Sequence, residues 1–213
     1  MTRLLSLIEH SLSYILYSSR GYDANLFIKG PAFAQFPSPT LTVDSPDVGP
    51  SGSMLRTEHT AFGSRTFPTL QWEWTKPEPP IVKEYLLIVE DPDSPLSRTP
   101  GNHGIFYKIP AEKSSISNKD LQVNDANTDS SEKKDDILRG GFKYGHNHRG
   151  SVYIAPRPLR GHGPHRYWFE VIALNAAVDL DDLSPVATRE ELARDIEGKV
   201  AGWGTWVGVY EAK

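Results

Sequence analysis

A mainly β domain with peripheral helices is predicted by three features of the sequence. Short apolar or alternating runs recur along the chain, separated by Pro and Gly, as in an antiparallel sheet protein. One of them, Leu86 to Val89, is continuously apolar and ends β-branched, which suits a strand buried on both faces. Helical periodicity is confined to the N-terminus and to a stretch beginning near Thr188. The 213 residues contain no clean linker between two apolar halves, so a single core is expected.

Residues 1–19 place Leu4, Leu5, Ile8, Leu12, Ile15 and Leu16 at helical spacing. Arg3 is almost the only cation in this amphipathic helix, whereas membrane-surface helices favour Lys and Arg. It is therefore expected to dock on the domain or on another subunit, with weak or no membrane association and with a homodimer as one outcome. Glu9 and His10 interrupt the apolar stretch, unlike a signal peptide. Residues 20–39 are rich in turn formers and aromatics and read as an irregular wrap. The chain thus divides into an N-terminal region, 1–39, and a domain over 40–213.

Within the domain, Leu41 to Val43 is a short strand stopped by Asp44-Ser45-Pro46, and Met54 to Thr60 is expected to be another. Leu70 to Trp74 alternates large apolar residues with Gln71 and Glu73, the pattern of a half-buried strand. After the central strand, His103 to Pro110 is a second apolar strand. Residues 111–139 are polar and lack aromatics, so they are expected to form a mobile insertion. His165 to Leu174 is the longest strand candidate. Thr188-Arg189-Glu190-Glu191 is a capping-box pattern that starts a helix with Leu192, Ile196 and Val200 on one face. Trp203 to Tyr210 closes the sheet, and Gly202, Gly204 and Gly208 either weaken that strand or let another backbone pass close. Trp72, Trp74, Trp168 and Trp206 are expected in the core.

The chemistry collects at strand ends. Pro92 and Pro95 stop the central strand abruptly and deliver Asp91 and Asp93 on stiff backbone. His103 opens the next strand, and His165-Arg166-Tyr167 opens the long one. Two Asp, two His and a Tyr so placed read as the wall of a pocket. Each His, paired with an Asp, would be kept cationic toward an anion, or would serve as a general base. Arg166 is expected to be a structural ion-pair partner. His146, His148 and His162 are expected to be solvated loop residues, and no metal centre is expected. The net charge of −4 and the lack of clustered cations argue against nucleic acid. The absence of Cys fits a reducing, cytoplasmic setting. No nucleotide-binding loop or serine-hydrolase elbow is present, and no cofactor is expected.

Asp91-Pro92-Asp93-Ser94-Pro95, then His103, then Tyr153-x-Ala155-Pro156-x-Pro158, then Gly-x-His165-Arg166-Tyr167 resemble, in this order, the phosphatidylethanolamine-binding protein family. That family includes Raf kinase inhibitor proteins, and its fungal branch is most similar. The resemblance covers roughly residues 40–213. It implies a large central sheet packed against a smaller one, with helices at the periphery. It also implies a small anion pocket walled by Asp91, Asp93, Pro95, His103, Pro156, His165 and Tyr167. Ala155 stands where relatives usually carry Gly, and Gly104 where many carry an aromatic; the latter is expected to enlarge the cavity.

Three functions follow from the resemblance. The first is binding of a phosphate, phospholipid head group or carboxylate. The second is enzymatic or accessory work in fungal secondary metabolism, on maleic-anhydride (maleidride) units. There His103 or His165, oriented by Asp91 or Asp93, would remove a proton next to a carbonyl. The third is regulation of a kinase-type pathway through partner surfaces, with the 111–139 loop or residues 1–19 as the contact.

Overall fold

The computed structural model describes residues 11–95, 97–123 and 137–213. Its eight strands are β1 (Leu41–Asp44), β2 (Leu70–Trp74), β3 (Glu84–Asp91), β4 (Gly101–Pro110), β5 (Ser115–Ile116), β6 (Lys143–Tyr144), β7 (His165–Leu174) and β8 (Val200–Tyr210). They form a five-stranded sheet in the order β6-β4-β3-β7-β8 and a three-stranded sheet in the order β1-β2-β5. All pairings between the named strands are antiparallel. The fold is thus mainly β, with a large sheet packed on a small one.

Strand β3 lies in the middle of the large sheet, and all eight of its residues are buried. A strand in that position needs cover on both faces, and the sequence supplies it. Tyr85, Leu87 and Val89 point toward the small sheet, into a core with Leu41, Trp72, Phe106, Phe169 and Trp206. Leu86 and Ile88 point the other way, into a second core with Phe27, Phe33, Leu192 and Ile196. Burying each such aliphatic side chain stabilises the fold by about 2 kcal/mol.

The glycines of β8 are explained by the first core. Gly202, Gly204 and Gly208 register with Ala173, Val171 and Tyr167, on the face turned to the small sheet. A Cβ on Gly204 would overlap the Leu41 carbonyl, and one on Gly202 would overlap the Thr40 hydroxyl. The close pass of another backbone is what these glycines permit. Thr40 N–H donates to the Trp203 carbonyl at 2.8 Å across this approach.

The second core is covered by the wrap and by a helix. Short 3₁₀ turns at Asp23–Asn25, Phe27–Lys29 and Pro31–Phe33 bury Leu26, Phe27, Ile28 and Phe33. Residues 11–16 form helix α1, and residues 1–10 of the predicted amphipathic helix lie outside the described residues. Within α1, Ser13 is buried and donates to the Arg160 carbonyl at 2.6 Å. Leu12 and Ile15, predicted on the docked stripe, are exposed instead. Helix α2 (Arg189–Asp195) begins with the capping box expected at Thr188 and Glu191. It is one turn shorter than its apolar pattern: Ile196 is the C-cap and Val200 already belongs to β8.

Two segments differ from expectation. Met54 to Thr60 is not a strand. Leu55 N–H reaches the Val209 carbonyl at 2.7 Å, but Thr57–His59 then folds into a 3₁₀ turn. The Thr60 hydroxyl bonds back to the Thr57 carbonyl at 2.9 Å, a local bond that competes with a ladder. The polar stretch 111–123 is ordered rather than a loose insertion. It carries β5, with Ile116 and Leu121 buried in the core and Asp120 gathering Ser117 N–H and the Lys113 ammonium at 2.8 and 2.7 Å. Residues 124–136 lie outside the described residues. No helix among the described residues is long and apolar enough to cross a membrane.

Candidate functional site

The end of β3 holds the first two acids in different ways. Asp91 Oδ1 accepts the Asp93 N–H at 2.8 Å, closing a tight turn after the strand. Its Oδ2 accepts from His165 Nδ1 at 2.8 Å. Asp93 is taken up by the Arg166 backbone N–H and by its Nε, both at 2.9 Å, and by the Gly21 N–H at 3.2 Å. Arg166 in turn grips Asp23 at 2.7 and 2.8 Å. Burial raises the Asp93 pKa, but the hydrogen bonds and charge of Arg166 outweigh it and hold the carboxyl below its ordinary value.

His103 reaches the pocket through an irregularity in β4. Val89 pairs with Gly104 while Glu90 pairs with Asn102, so His103 is the extra residue of a β-bulge. Bulges re-aim side chains in this way. His103 Nδ1 lies 2.6 Å from the Ile154 carbonyl. A carbonyl only accepts, so Nδ1 carries the proton and Nε2 presents a lone pair in the neutral ring. Burial dominates the His103 pKa and pushes it down, against the opposing Asp91 charge and Ile154 carbonyl.

His165 and Tyr167 alternate on β7 and so share a face. Their rings are stacked 6.4 Å apart, and the His103 ring meets Tyr167 edge-on at 5.1 Å. The Tyr167 hydroxyl is buried and has no hydrogen-bond partner among the described residues; burial raises its pKa well above the ordinary value.

These side chains line a cavity of about 200 Å³ with Pro95, Ala155 and the exposed His148, and exposed Arg149 and Arg157 add a cationic rim. Of the residues predicted for the pocket wall, Asp91, Pro95, His103, His165 and Tyr167 are thus brought together. Asp93 and Pro156 are not: Asp93 is sequestered by Arg166 behind the wall, and Pro156 is buried with its carbonyl on the Ala61 N–H at 2.9 Å. The expected pairing of both histidines with carboxylates holds for His165 alone. Gly104 does not widen the cavity, because a Cβ there would meet the Phe106 ring at 3.0 Å. The space is already filled by an aromatic from the same strand.

A loop histidine was also misplaced by sequence reasoning. His162 is buried rather than solvated, and its Nδ1 lies 2.8 Å from His165 Nε2. The signal was the spacing Gly161-His162-Gly163-Pro164-His165, whose two glycines have φ of +79° and +88° and turn the first ring back onto the second. Arg149 and Arg157 carried no motif. No group of three potential metal ligands occurs among the described residues.

The site can therefore offer one hydrogen-bond acceptor or base, His103 Nε2, and one free donor, the Tyr167 hydroxyl, inside a cationic rim. Its carboxylates are already engaged by His165 and Arg166.

The chain is 45% identical over 212 residues to phomoidride biosynthesis cluster protein B of Talaromyces stipitatus, covering 99% of this chain and 83% of that one. It is 43% identical over 215 residues to the protein of the same name from a second fungal species, covering 100% and 98%. The fold resembles the crystal structure of E. coli YbcL, described as a member of the mammalian PEBP family, with a TM-score of 0.63 and 22% identity over 82% of this chain and 99% of that one. A sequence model described as phosphatidylethanolamine-binding protein matches residues 44–211. The chain belongs to the phosphatidylethanolamine-binding protein family.

Proposed function

We propose that this protein binds a small carboxylate or other oxyanion in the His103–Tyr167 cavity and serves a fungal biosynthetic cluster, as the names of its relatives suggest. The observation that carries this reading is the buried, unpartnered Tyr167 hydroxyl beside the unoccupied Nε2 of His103. A buried donor left unsatisfied costs about 1–3 kcal/mol, and a ligand oxygen in the cavity removes that cost. Arg149 and Arg157 at the mouth favour an anion by charge. Asp93 does not oppose it, because the Arg166 guanidinium neutralises it.

A second reading is favoured by the same free nitrogen. A neutral imidazole whose Nδ1–H is fixed by the Ile154 carbonyl is a positioned general base. On a maleic-anhydride-type substrate, His103 Nε2 would take a proton from the carbon next to a carbonyl. The electron pair would pass to the carbonyl oxygen, and the Tyr167 hydroxyl would stabilise it. His165 does not fit this role, since both of its ring nitrogens are occupied.

The test is calorimetry and mass spectrometry of the full chain with phosphate, a phosphoethanolamine lipid, citrate and an alkyl-maleic anhydride. Reversible anion binding, weakened at least about tenfold in both His103→Ala and Tyr167→Phe, supports the binding reading. Coupled products that vanish with His103→Ala make the cavity catalytic. Failure of every compound to bind or react overturns both.

A further inference from the structure

We infer that His162 is a positioning residue of the cavity: with His165 and Asp91 it forms a chain holding one proton more than two neutral imidazoles, which cancels the Asp91 charge where a ligand binds. The chain starts at the Leu16 carbonyl, 2.9 Å from His162 Nε2. It continues from His162 Nδ1 to His165 Nε2 at 2.8 Å, and from His165 Nδ1 to Asp91 Oδ2 at 2.8 Å. Three hydrogen bonds need three hydrogens. The Leu16 carbonyl supplies none, and two neutral imidazoles supply one each. A third proton must therefore be present, and the chain, carboxylate included, is neutral overall. Removing it would leave the Leu16 carbonyl without a donor, two ring nitrogens facing each other without a hydrogen, or Asp91 Oδ2 without a donor.

The chain lies inside the protein. His162 and His165 are buried, with ring centroids 4.9 Å apart. Several charged or titratable groups face them. Arg20, after α1, donates Nη1 to the His162 carbonyl at 3.1 Å and lies on the same side as the Tyr17 ring. His103 on β4 and Tyr167 on β7 adjoin the chain from within the cavity, and the Asp93–Arg166 pair lies just behind Asp91. Burial, the largest influence, lowers the His162 pKa, as do the nearby His165 and Arg20 charges, against the Leu16 carbonyl and the Asp91 charge.

The significance of this chain for a ligand rests on the proposed anion-binding function, but the proton count does not. The experiment reads ¹⁵N imidazole and ¹³C carboxyl shifts of the labelled full chain near pH 7, about half a unit above the ordinary histidine pKa. Three protons over Asp91, His162 and His165 are expected; two would overturn the inference. His162→Asn keeps an acceptor near His165 Nε2 and gives up the bond to Leu16. His162→Gln keeps a donor toward Leu16 and gives up that acceptor. The Asn variant is expected to retain the third proton and to bind inorganic phosphate within about twofold of the parent. The Gln variant is expected to lose that proton and about tenfold in phosphate affinity, the scale of one nearby charge. Identical proton counts in the two variants would show that His162 merely holds the N-terminal segment. If the parent binds no phosphate, the proposed function fails while the proton count still decides this inference.

Discussion

At the scale of single side chains, the cavity is defined by which polar atoms are left without partners. The Tyr167 hydroxyl is the clearest case, buried and unpartnered. Tyr167→Phe removes that cost and is expected to raise unfolding stability by about 1 kcal/mol while weakening anion binding. Thermal unfolding and calorimetry on one preparation check both signs; a loss of stability would mean that the hydroxyl has a partner in solution. His103 yields a pH dependence. Burial holds its pKa below the ordinary value, so the free ring is neutral near pH 7, and an anion beside Nε2 favours the imidazolium. Binding should then take up a proton, and affinity should rise as pH falls below neutral. Calorimetry in buffers of different ionisation enthalpy measures that uptake, and its absence would remove His103 from contact with the ligand. The members of this cluster were legible in the sequence, because Asp91, His103, His165 and Tyr167 all stand at strand ends. Their roles were not. The partner of His103 is a carbonyl 51 residues away at Ile154, and the second partner of His165 sits in a glycine-flanked loop that reads as solvated. Asp91 and Asp93 look equivalent in sequence, and only the position of Arg166 separates a cavity acid from a structural one.

At the scale of elements, the strands of four or more residues are those the sequence reveals: β1, β2, β3, β4, β7 and β8. The two-residue strands β5 and β6 are too short to carry a period, and composition averaged over 111–139 hid the single anchors Ile116, Leu121 and Leu138. The bulge that aims His103 was equally invisible, since it is a property of the β3–β4 pairing and not of either strand. The glycines of β8 allow a graded test of the close approach between sheets. Gly204→Ala places a methyl on the Leu41 backbone, which cannot move without shifting β1, whereas Gly208→Ala meets the Leu55 side chain at 2.9 Å. The first is expected to cost about 2–3 kcal/mol, the second about 1 kcal/mol. Urea unfolding of the two variants ranks them; equal costs would show that β1 yields as readily as a leucine side chain.

At the scale of the whole molecule, the large sheet carries polar chemistry on both faces, and one strap of chain reaches both. Residues 20–23 hold the cavity side, through Arg20 and the Gly21 N–H on Asp93. A few residues on, the Phe27 and Ile28 N–H groups donate to Glu90 and Glu170 on the opposite face, at 2.8 and 3.3 Å. Both glutamates are fully buried. Arg189 pairs with Glu90 at 2.5 Å, while Glu170 Oε1 has no hydrogen-bond partner among the described residues. Burial first, then the Glu90 charge, raise the Glu170 pKa well above its ordinary value. A raised carboxyl pKa means that the folded state holds a proton the unfolded state releases. The fold is therefore favoured by this group at low pH and loses that contribution as pH climbs from about 4.5 through the folded-state pKa. Glutamine mimics the protonated acid at every pH. Glu170→Gln is thus expected to match the parent near pH 5 and to exceed its stability increasingly above that, by roughly 1 kcal/mol or more at pH 8. Urea midpoints at three pH values measure the gap. A gap that stays constant would mean that Glu170 ionises as easily inside the protein as outside it, and that the strap is held on this face by a carboxylate and not by a neutral acid.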